Sequence, residues 1–253
     1  MQRSIKSKRG NAIGVFDSGV GGLTVARALM EGLPFEDIIY FGDTARVPYG
    51  VKSAETIRRY AVQIAQFLLQ QDVKALICAC NTMSAVAYGA IKNLAPVPLL
   101  GVVDAGARGA VALTKTKRVG VIGTPTTITS STYEAAIKRY DPHIKIFSQA
   151  CPLFVPLAEE GWLDHEVTRL TAQEYLGPLI GHRIDTVVLG CTHYPLLKPV
   201  LEEVLGKTIQ LVDSAQAVTE QTRRLLGDHD LLQQQPRSPE YRFYITDFPL
   251  RFT

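Results

Sequence analysis

The chain has 253 residues, 46% of them hydrophobic, and a formal net charge of only +3. It is long enough to bury a full core in one large or two small domains. The charge is too evenly spread to mark a nucleic-acid-binding surface. No stretch approaches the roughly 18 consecutive apolar residues of a membrane span, and no apolar segment follows the basic start. The expectation is therefore a cytoplasmic protein without membrane or nucleic-acid partners. Four cysteines are too few for a disulfide scaffold, so reduced thiols are expected.

In chain order, residues 1–11 read as a basic leader, with Arg3 and the run Lys6 to Arg9 and no apolar periodicity. Apolar, β-branched runs then alternate with longer amphipathic stretches, the pattern of βαβ units on a parallel sheet. Strands are predicted at 12–16, 37–41, 75–78, 99–102, 119–122, 145–148, 186–189 and 209–212. Helices are predicted at about 21–32, 53–70, 83–94, 105–114, 129–140, 166–181, 195–205 and 214–226. Ser53, with Glu55 and Thr56 behind it, and Asp104 before Ala105 are start signals for two of these helices. Residues 241–246 alternate and read as an edge strand.

A faint internal repeat accompanies the alternation. Gly14-Val-Phe-Asp-Ser18 opens one half and Gly120-Val-Ile-Gly-Thr124 opens the other; Cys80 and Cys191 recur in the same order at nearly the same offset. Two similar doubly wound α/β domains with mainly parallel sheets, related by a pseudo-twofold axis, would bring the carboxyl ends of both sheets over a shared interdomain cleft.

The chemistry concentrates at strand ends. Ala75-Leu-Ile-Cys-Ala-Cys80-Asn81-Thr82 and Thr186-Val-Val-Leu-Gly-Cys191-Thr192-His193 each end an apolar run in a thiol followed by polar residues. Open α/β sheets place their chemistry there. The loop Asp17-Ser18-Gly-Val-Gly-Gly22 lacks the third glycine of a dinucleotide fingerprint, and Asp17 would repel a phosphate. It reads either as a tight turn capped by Ser18, or as a small-ligand loop. In the second case Ser18 and backbone donors hold a carboxylate, while Asp17 holds an ammonium or orients a thiol. Asp43, Arg46 and the turn Pro48-Tyr49-Gly50 follow the second strand; Arg46 is either a carboxylate clamp or the ion-pair partner of Asp43. Thr124, with Thr126 and Thr127, is the second-half counterpart of the first glycine loop. Cys78 and Cys151 read as small buried hydrophobes.

Two facing thiols match the demands of racemisation. One group must remove the α-proton and another must supply one on the opposite face, and a thiolate is a good base for a carbon acid. The carbanion needs donors on the carboxylate, and Asn81, Thr82, Thr192 and Ser18 are of the right type. Cys78-x-Cys80 and Cys191-x-His193 also contain a zinc-type ligand set. Their spacing is not that of a zinc knuckle, and their flanks are core strands, so no metal site is expected.

Phe16-Asp-Ser-Gly-Val-Gly-Gly-Leu-Thr24, Tyr40-Phe-Gly-Asp-Thr-Ala-Arg-Val-Pro-Tyr-Gly50, Cys80-Asn-Thr82, Gly190-Cys-Thr-His-Tyr-Pro195 and Val212-Asp-Ser214 together resemble the glutamate racemases. The resemblance runs in order from about residue 12 to beyond 214. It implies a cofactor-independent two-base enzyme, commonly dimeric, that makes D-glutamate for peptidoglycan. It puts the catalytic pair on Cys80 and Cys191. Asp17, Ser18, Tyr49, Gly50, Asn81, Thr82, Thr192 and His193 fall on its substrate-binding positions, and Glu159 falls on an acidic position near the second thiol. It further implies interleaved domains, 1–103 with 213–253 and 104–212. Met83, where the family has a smaller residue, and the absence of a further helix before Thr253 depart from the pattern. Aspartate or hydantoin racemisation is the alternative within the superfamily; a non-catalytic binder of a small carboxylate is the alternative outside it.

Overall fold

The computed structural model describes residues 8–247, so the first seven residues of the expected leader lie outside the described residues. In chain order the elements are β1 (Ile13–Asp17), α1 (Leu23–Gly32), β2 (Ile38–Gly42), α2 (Ala54–Leu69), β3 (Ala75–Cys78), α3 (Asn81–Val86), α4 (Tyr88–Leu94), β4 (Leu99–Gly101), α5 (Val102–Leu113), β5 (Arg118–Gly123), α6 (Pro125–Thr129), α7 (Thr132–Tyr140), β6 (Lys145–Ala150), α8 (Phe154–Glu159), α9 (Glu166–Gly181), β7 (Thr186–Gly190), α10 (Lys198–Leu205), β8 (Gln210–Val212), α11 (Ser214–Asp228) and β9 (Tyr241–Ile245). They form two compact units: the described residues up to Val102 together with those from Ala215 onward, and Val103–Ser214.

The first unit holds a five-stranded sheet in the order β4-β3-β1-β2-β9, every pair parallel. The second holds a four-stranded parallel sheet in the order β6-β5-β7-β8. Setting β5 to β8 against β1 to β4, both sheets have one strand order, so the faint repeat in the sequence is a repeat of topology. Strands β1, β3 and β7 are buried along their whole length. This is why they read as unbroken apolar runs: a parallel sheet covered on both faces has no solvent side to alternate toward. Strand β9 alternates, as an edge strand, with Tyr241, Phe243 and Ile245 exposed on one side and Tyr244 packed against Phe67 on the other.

Strand order also locates the chemistry. The chain leaves β1 toward β2 on one side and returns to β3 on the other, so the β1/β3 boundary is a topological switch point, as is β5/β7. Crevices outside the carboxyl ends of strands open at such points. Asp17 ends β1 and Cys80 follows β3; Gly123 ends β5 and Cys191 follows β7.

Helix α2 shows how local rules build the frame. The Ser53 side chain accepts from the Thr56 amide at 3.3 Å, capping the first turn. Ile57, Ala61, Ile64, Ala65 and Leu68, at helical spacing, are buried against the sheet. Elsewhere the sequence expectation fails in instructive ways. The helix expected over 83–94 is broken at Ala87 into α3 and α4, and the Val86 carbonyl freed at the break accepts from Arg58 Nε at 2.8 Å. The helix expected over 129–140 is preceded by α6 and separated from it by Ser131, in the left-handed region at φ 54°. Asp104 does not cap α5, which starts earlier at Val102. Its carboxylate instead accepts from Tyr140 Oη at 2.7 Å and pairs with Arg108 and Arg139. Helix α8 has no counterpart among the predicted helices.

Asp185 ties the turn before β5 to the start of β7. Burial pushes its carboxyl up, but Thr114 Oγ1 and the amides of Thr116 and Lys115 donate to it and hold it at about 2. A carboxylate with a depressed folded pKa stabilises the fold above its unfolded value and loses that contribution as pH falls toward its folded value. Asp185→Asn should therefore lower stability at neutral pH and flatten the acid limb of a urea-midpoint-versus-pH curve between about pH 4 and 2. An unchanged acid limb would show that these hydrogen bonds do not couple to folding.

Candidate active site

In the first unit, β1 delivers Asp17 and Ser18, and β3 delivers Cys80. Asp17 is fully buried, and its Oδ2 accepts from the amides of Gly22 at 2.8 Å and Gly19 at 3.3 Å. Two of the loop amides are thus turned onto the chain's own aspartate, and Ser18 does not cap α1, whose N-cap is Gly22. A Cβ on Gly22 would lie 2.4 Å from Asp17 Cβ, so only glycine lets this loop close. Tyr40, buried in β2, donates its hydroxyl to Gly19 O at 2.7 Å and braces the same loop.

Cys80 is the N-cap of α3. Its sulfur receives the Met83 amide at 3.5 Å and lies 3.6 Å from Ser18 Oγ. A backbone donor bonds more strongly to a thiolate than to a thiol. Asn81 and Thr82 open α3 and are buried beside it, and Met83 fills the core behind the thiol without exposure. Pro48 leads into a 3₁₀ turn, Tyr49–Val51, which carries Tyr49 and Gly50. Burial and the hydrogen bond to Asp43 raise the Tyr49 phenol well above its usual range, so it stays a neutral donor. Arg46 resolves the two readings given to it. It lies 3.5 Å from Asp43, donates to Gln63 at 3.0 Å and stacks 4.4 Å above Tyr60.

In the second unit, Cys191 follows β7 and its sulfur lies 3.7 Å from His193 Nδ1. His193 Nε2 in turn lies 3.2 Å from Glu159 Oε1, at the end of α8. The histidine is buried while the glutamate side chain is 41% exposed, so a carboxylate at the edge of solvent reaches a buried imidazole that reaches a thiol. Thr192 is buried between them in sequence. Thr124 ends the loop after β5, but its hydroxyl caps α6, receiving the Thr127 amide at 3.3 Å. Tyr133, which the sequence reading missed, is buried against Gly190: a Cβ there would stand 3.2 Å from Tyr133 Cε2 and 2.6 Å from Ile122 O. One of two tyrosines in an amphipathic helix, it offered no signal of this.

The other two thiols differ from these. Burial pushes Cys78 well above the ordinary thiol value, and burial with the neighbouring Cys191 does the same for Cys151. Both remain protonated and inert in the core, as small apolar groups. Among the described residues, no group of three or more His, Cys, Asp or Glu side chains is arranged to hold a metal ion. No helix among them is long and apolar enough to cross a membrane.

Two repeated parallel-sheet units each carry a thiol among hydrogen-bonding side chains at the switch point, where α/β folds place their chemistry. The sequence pattern of the Asp/Glu/Hydantoin racemase family matches residues 13–222. The chain belongs to that family. The glutamate racemase of Syntrophus aciditrophicus (strain SB) is 67% identical over 240 residues, 95% of this chain and 89% of that protein. That of Neisseria meningitidis (strain MC58) is 54% identical over 245 residues, 96% and 90% of the two chains. Among solved structures, the glutamate racemase of Francisella tularensis in complex with D-glutamate is similar at a TM-score of 0.91 and 44% identity, covering 96% of this chain and 91% of that one. An aspartate racemase homologue from Pyrococcus horikoshii shares the fold alone, at a TM-score of 0.61 and 17% identity.

Proposed function

We propose that this chain is a glutamate racemase that interconverts L- and D-glutamate without a cofactor, with Cys80 and Cys191 as its two acid–base groups. The observation that carries the proposal is the matched pair of strand-end thiols, each with its own hydrogen-bonding partners. Identity of 67% to a curated glutamate racemase, far above the similarity to an aspartate racemase homologue, supports glutamate over aspartate as substrate.

In the forward direction one thiolate removes the α-proton and becomes a thiol. The carbanion then takes the proton of the second thiol on its opposite face, leaving that sulfur as thiolate. The reverse turnover exchanges the roles, so the proton count balances in both directions. The α-proton is a weak acid, and the developing charge spreads into the substrate carboxylate. Ser18, Asn81, Thr82 and Thr192 are the donors proposed to meet it there. Tyr49, Gly50, Pro48 and Thr124 are proposed to line the rest of the substrate site. Asp17 is held by its loop amides, ready to face the ammonium or Cys80. His193, between Glu159 and Cys191, is proposed to shuttle or orient the second proton.

Glu159→Gln should lower kcat/KM by about tenfold and His193→Gln by about a hundredfold, equally in the two directions because the equilibrium constant between enantiomers is one. Deuterium wash-in should be lost chiefly from the enantiomer whose α-proton Cys191 removes. Equal loss of wash-in from both enantiomers would assign them a structural role instead. The decisive experiment is α-proton exchange of L-glutamate in D₂O by NMR, with circular dichroism in parallel and EDTA present. Deuterium incorporation with loss of optical activity is expected. No exchange with glutamate, or an equal rate with aspartate, would overturn the assignment. The same proposal makes D-glutamate available for peptidoglycan and places the enzyme in the cytoplasm as a homodimer, whose mass sedimentation would measure.

A further inference from the structure

The loop that carries Tyr49 and Gly50 is clasped by the far end of the chain. Strand β9 pairs with β2 so that Ile245 lies opposite Gly42, and the next residue, Thr246, donates its amide to Gly42 O at 3.3 Å. The Thr246 hydroxyl then does two things at once. It donates to Asp43 Oδ1 at 2.9 Å and accepts the Ala45 amide at 2.9 Å. Asp43 is fully buried, and its other oxygen accepts the Tyr49 hydroxyl. One carboxylate thus links Thr246 to the ring of Tyr49. A second staple lies alongside, where the Asp247 amide donates to Thr44 Oγ1 at 3.0 Å and the Thr44 hydroxyl donates back to the Asp247 carbonyl. The Thr246 amide closes the β2–β9 ladder at Gly42, while the side-chain contacts lie beyond it and join positions about two hundred residues apart.

We propose that Thr246 is a positioning residue for the substrate site: through Asp43 it sets where Tyr49 and Gly50 are presented. The assignment rests on the proposed function for its kinetic consequence, but not for its structural one. Buried carboxylates demand their hydrogen bonds, so an Asp43 deprived of one donor rotates, and Tyr49 moves with it. Valine keeps the shape of threonine and can neither donate nor accept; serine keeps both capacities.

The test compares Thr246→Val, Thr246→Ser and, as a control at the other end of the strand, Arg242→Ala. Thr246→Val should raise KM for glutamate about fivefold or more while kcat stays within about twofold, since only binding geometry is lost. Thr246→Ser and Arg242→Ala should match the parent enzyme. An unchanged KM in Thr246→Val, or an equal rise in Arg242→Ala, would overturn the proposal by showing that the strand merely adds stability. If Thr246→Val does not fold, Thr44→Ala removes the second staple and should shift KM in the same direction. Hydrogen exchange of the amides over 43–51, read without substrate, gives an independent answer. Exchange should quicken in Thr246→Val and not in Thr246→Ser; equal rates in both would overturn the proposal. Quickened exchange in a protein that leaves glutamate untouched would uphold the latch and overturn the proposed activity instead.

Discussion

Cys80→Ala and Cys191→Ala should each reduce racemisation by about 10³-fold or more, and the double variant should be little worse than either single one. Positioned acid–base groups typically contribute about 10²–10⁴-fold, and removal of one member of a unit that acts together forfeits most of the whole effect. The single variants should also differ in kind. A protein that keeps one base can still exchange the α-proton of the enantiomer presented to that base, yet cannot complete inversion. Each variant should therefore exchange deuterium into one enantiomer, and the two variants should choose opposite ones. Cys78→Ala and Cys151→Ala should racemise normally, because burial holds both thiols protonated in the core. A Cys80 or Cys191 variant that turns over at the parent rate would sink the two-thiol mechanism. Loss of activity in all four variants would point to packing and not to chemistry.

The largest stability effect should come from Lys74, which is fully buried before β3. Its ammonium donates to Leu231 O at 2.9 Å and Arg9 O at 2.6 Å and pairs with the buried carboxylate of Glu36. Glu36 also accepts the Gln233 amide at 2.8 Å. One ion pair thus gathers the segment before β1, the α1–β2 loop and the segment after α11. Burial alone pulls the Lys74 pKa down, and the Glu36 carboxylate pulls it back up. Lys74→Ala would leave Glu36 charged and dry, a mechanism worth about 3–5 kcal/mol. Glu36→Gln, which keeps an acceptor for the ammonium and for Gln233, should cost less. The check is a set of urea midpoints at constant slope for the two single variants and the double one. A double variant no less stable than Lys74→Ala is expected, since removal of the carboxylate relieves the stranded charge. A cost below about 1 kcal/mol for Lys74→Ala would show that water reaches the site.

Much of this architecture was legible in the sequence because the signals are local. Continuous apolar runs of four to six residues marked the strands, since a strand buried on both faces must be apolar throughout. Ser53 marked the start of α2 because its hydroxyl meets an amide three residues away. Helix breaks were less legible. The interruption at Ala87 depends on Arg58, on another helix, collecting the freed carbonyl.

Within the candidate site the division is sharper. The residue types were readable: a thiol at the end of β3 and another at the end of β7, each followed by donors. The partners were not. Asp17 reads as a group for a ligand or a thiol; what adjacency does not show is that its Oδ2 is held by its own loop amides, because Gly22 lets the backbone fold over it. Thr124 reads as the second-half counterpart of the glycine loop, and the structure adds that its hydroxyl caps α6.

By itself, then, the sequence determined the parallel α/β architecture, the repeat and the positions of Cys80 and Cys191, because these follow from apolar periodicity and from adjacency along the chain. Only the tertiary structure decided that Glu159 reaches His193, that Tyr40 braces the Asp17 loop, and that Thr246 holds Asp43. Each of those contacts joins residues between about twenty and two hundred positions apart. Hydrogen bonds have a reach of about 3 Å, so they report the folded path of the chain and not its order.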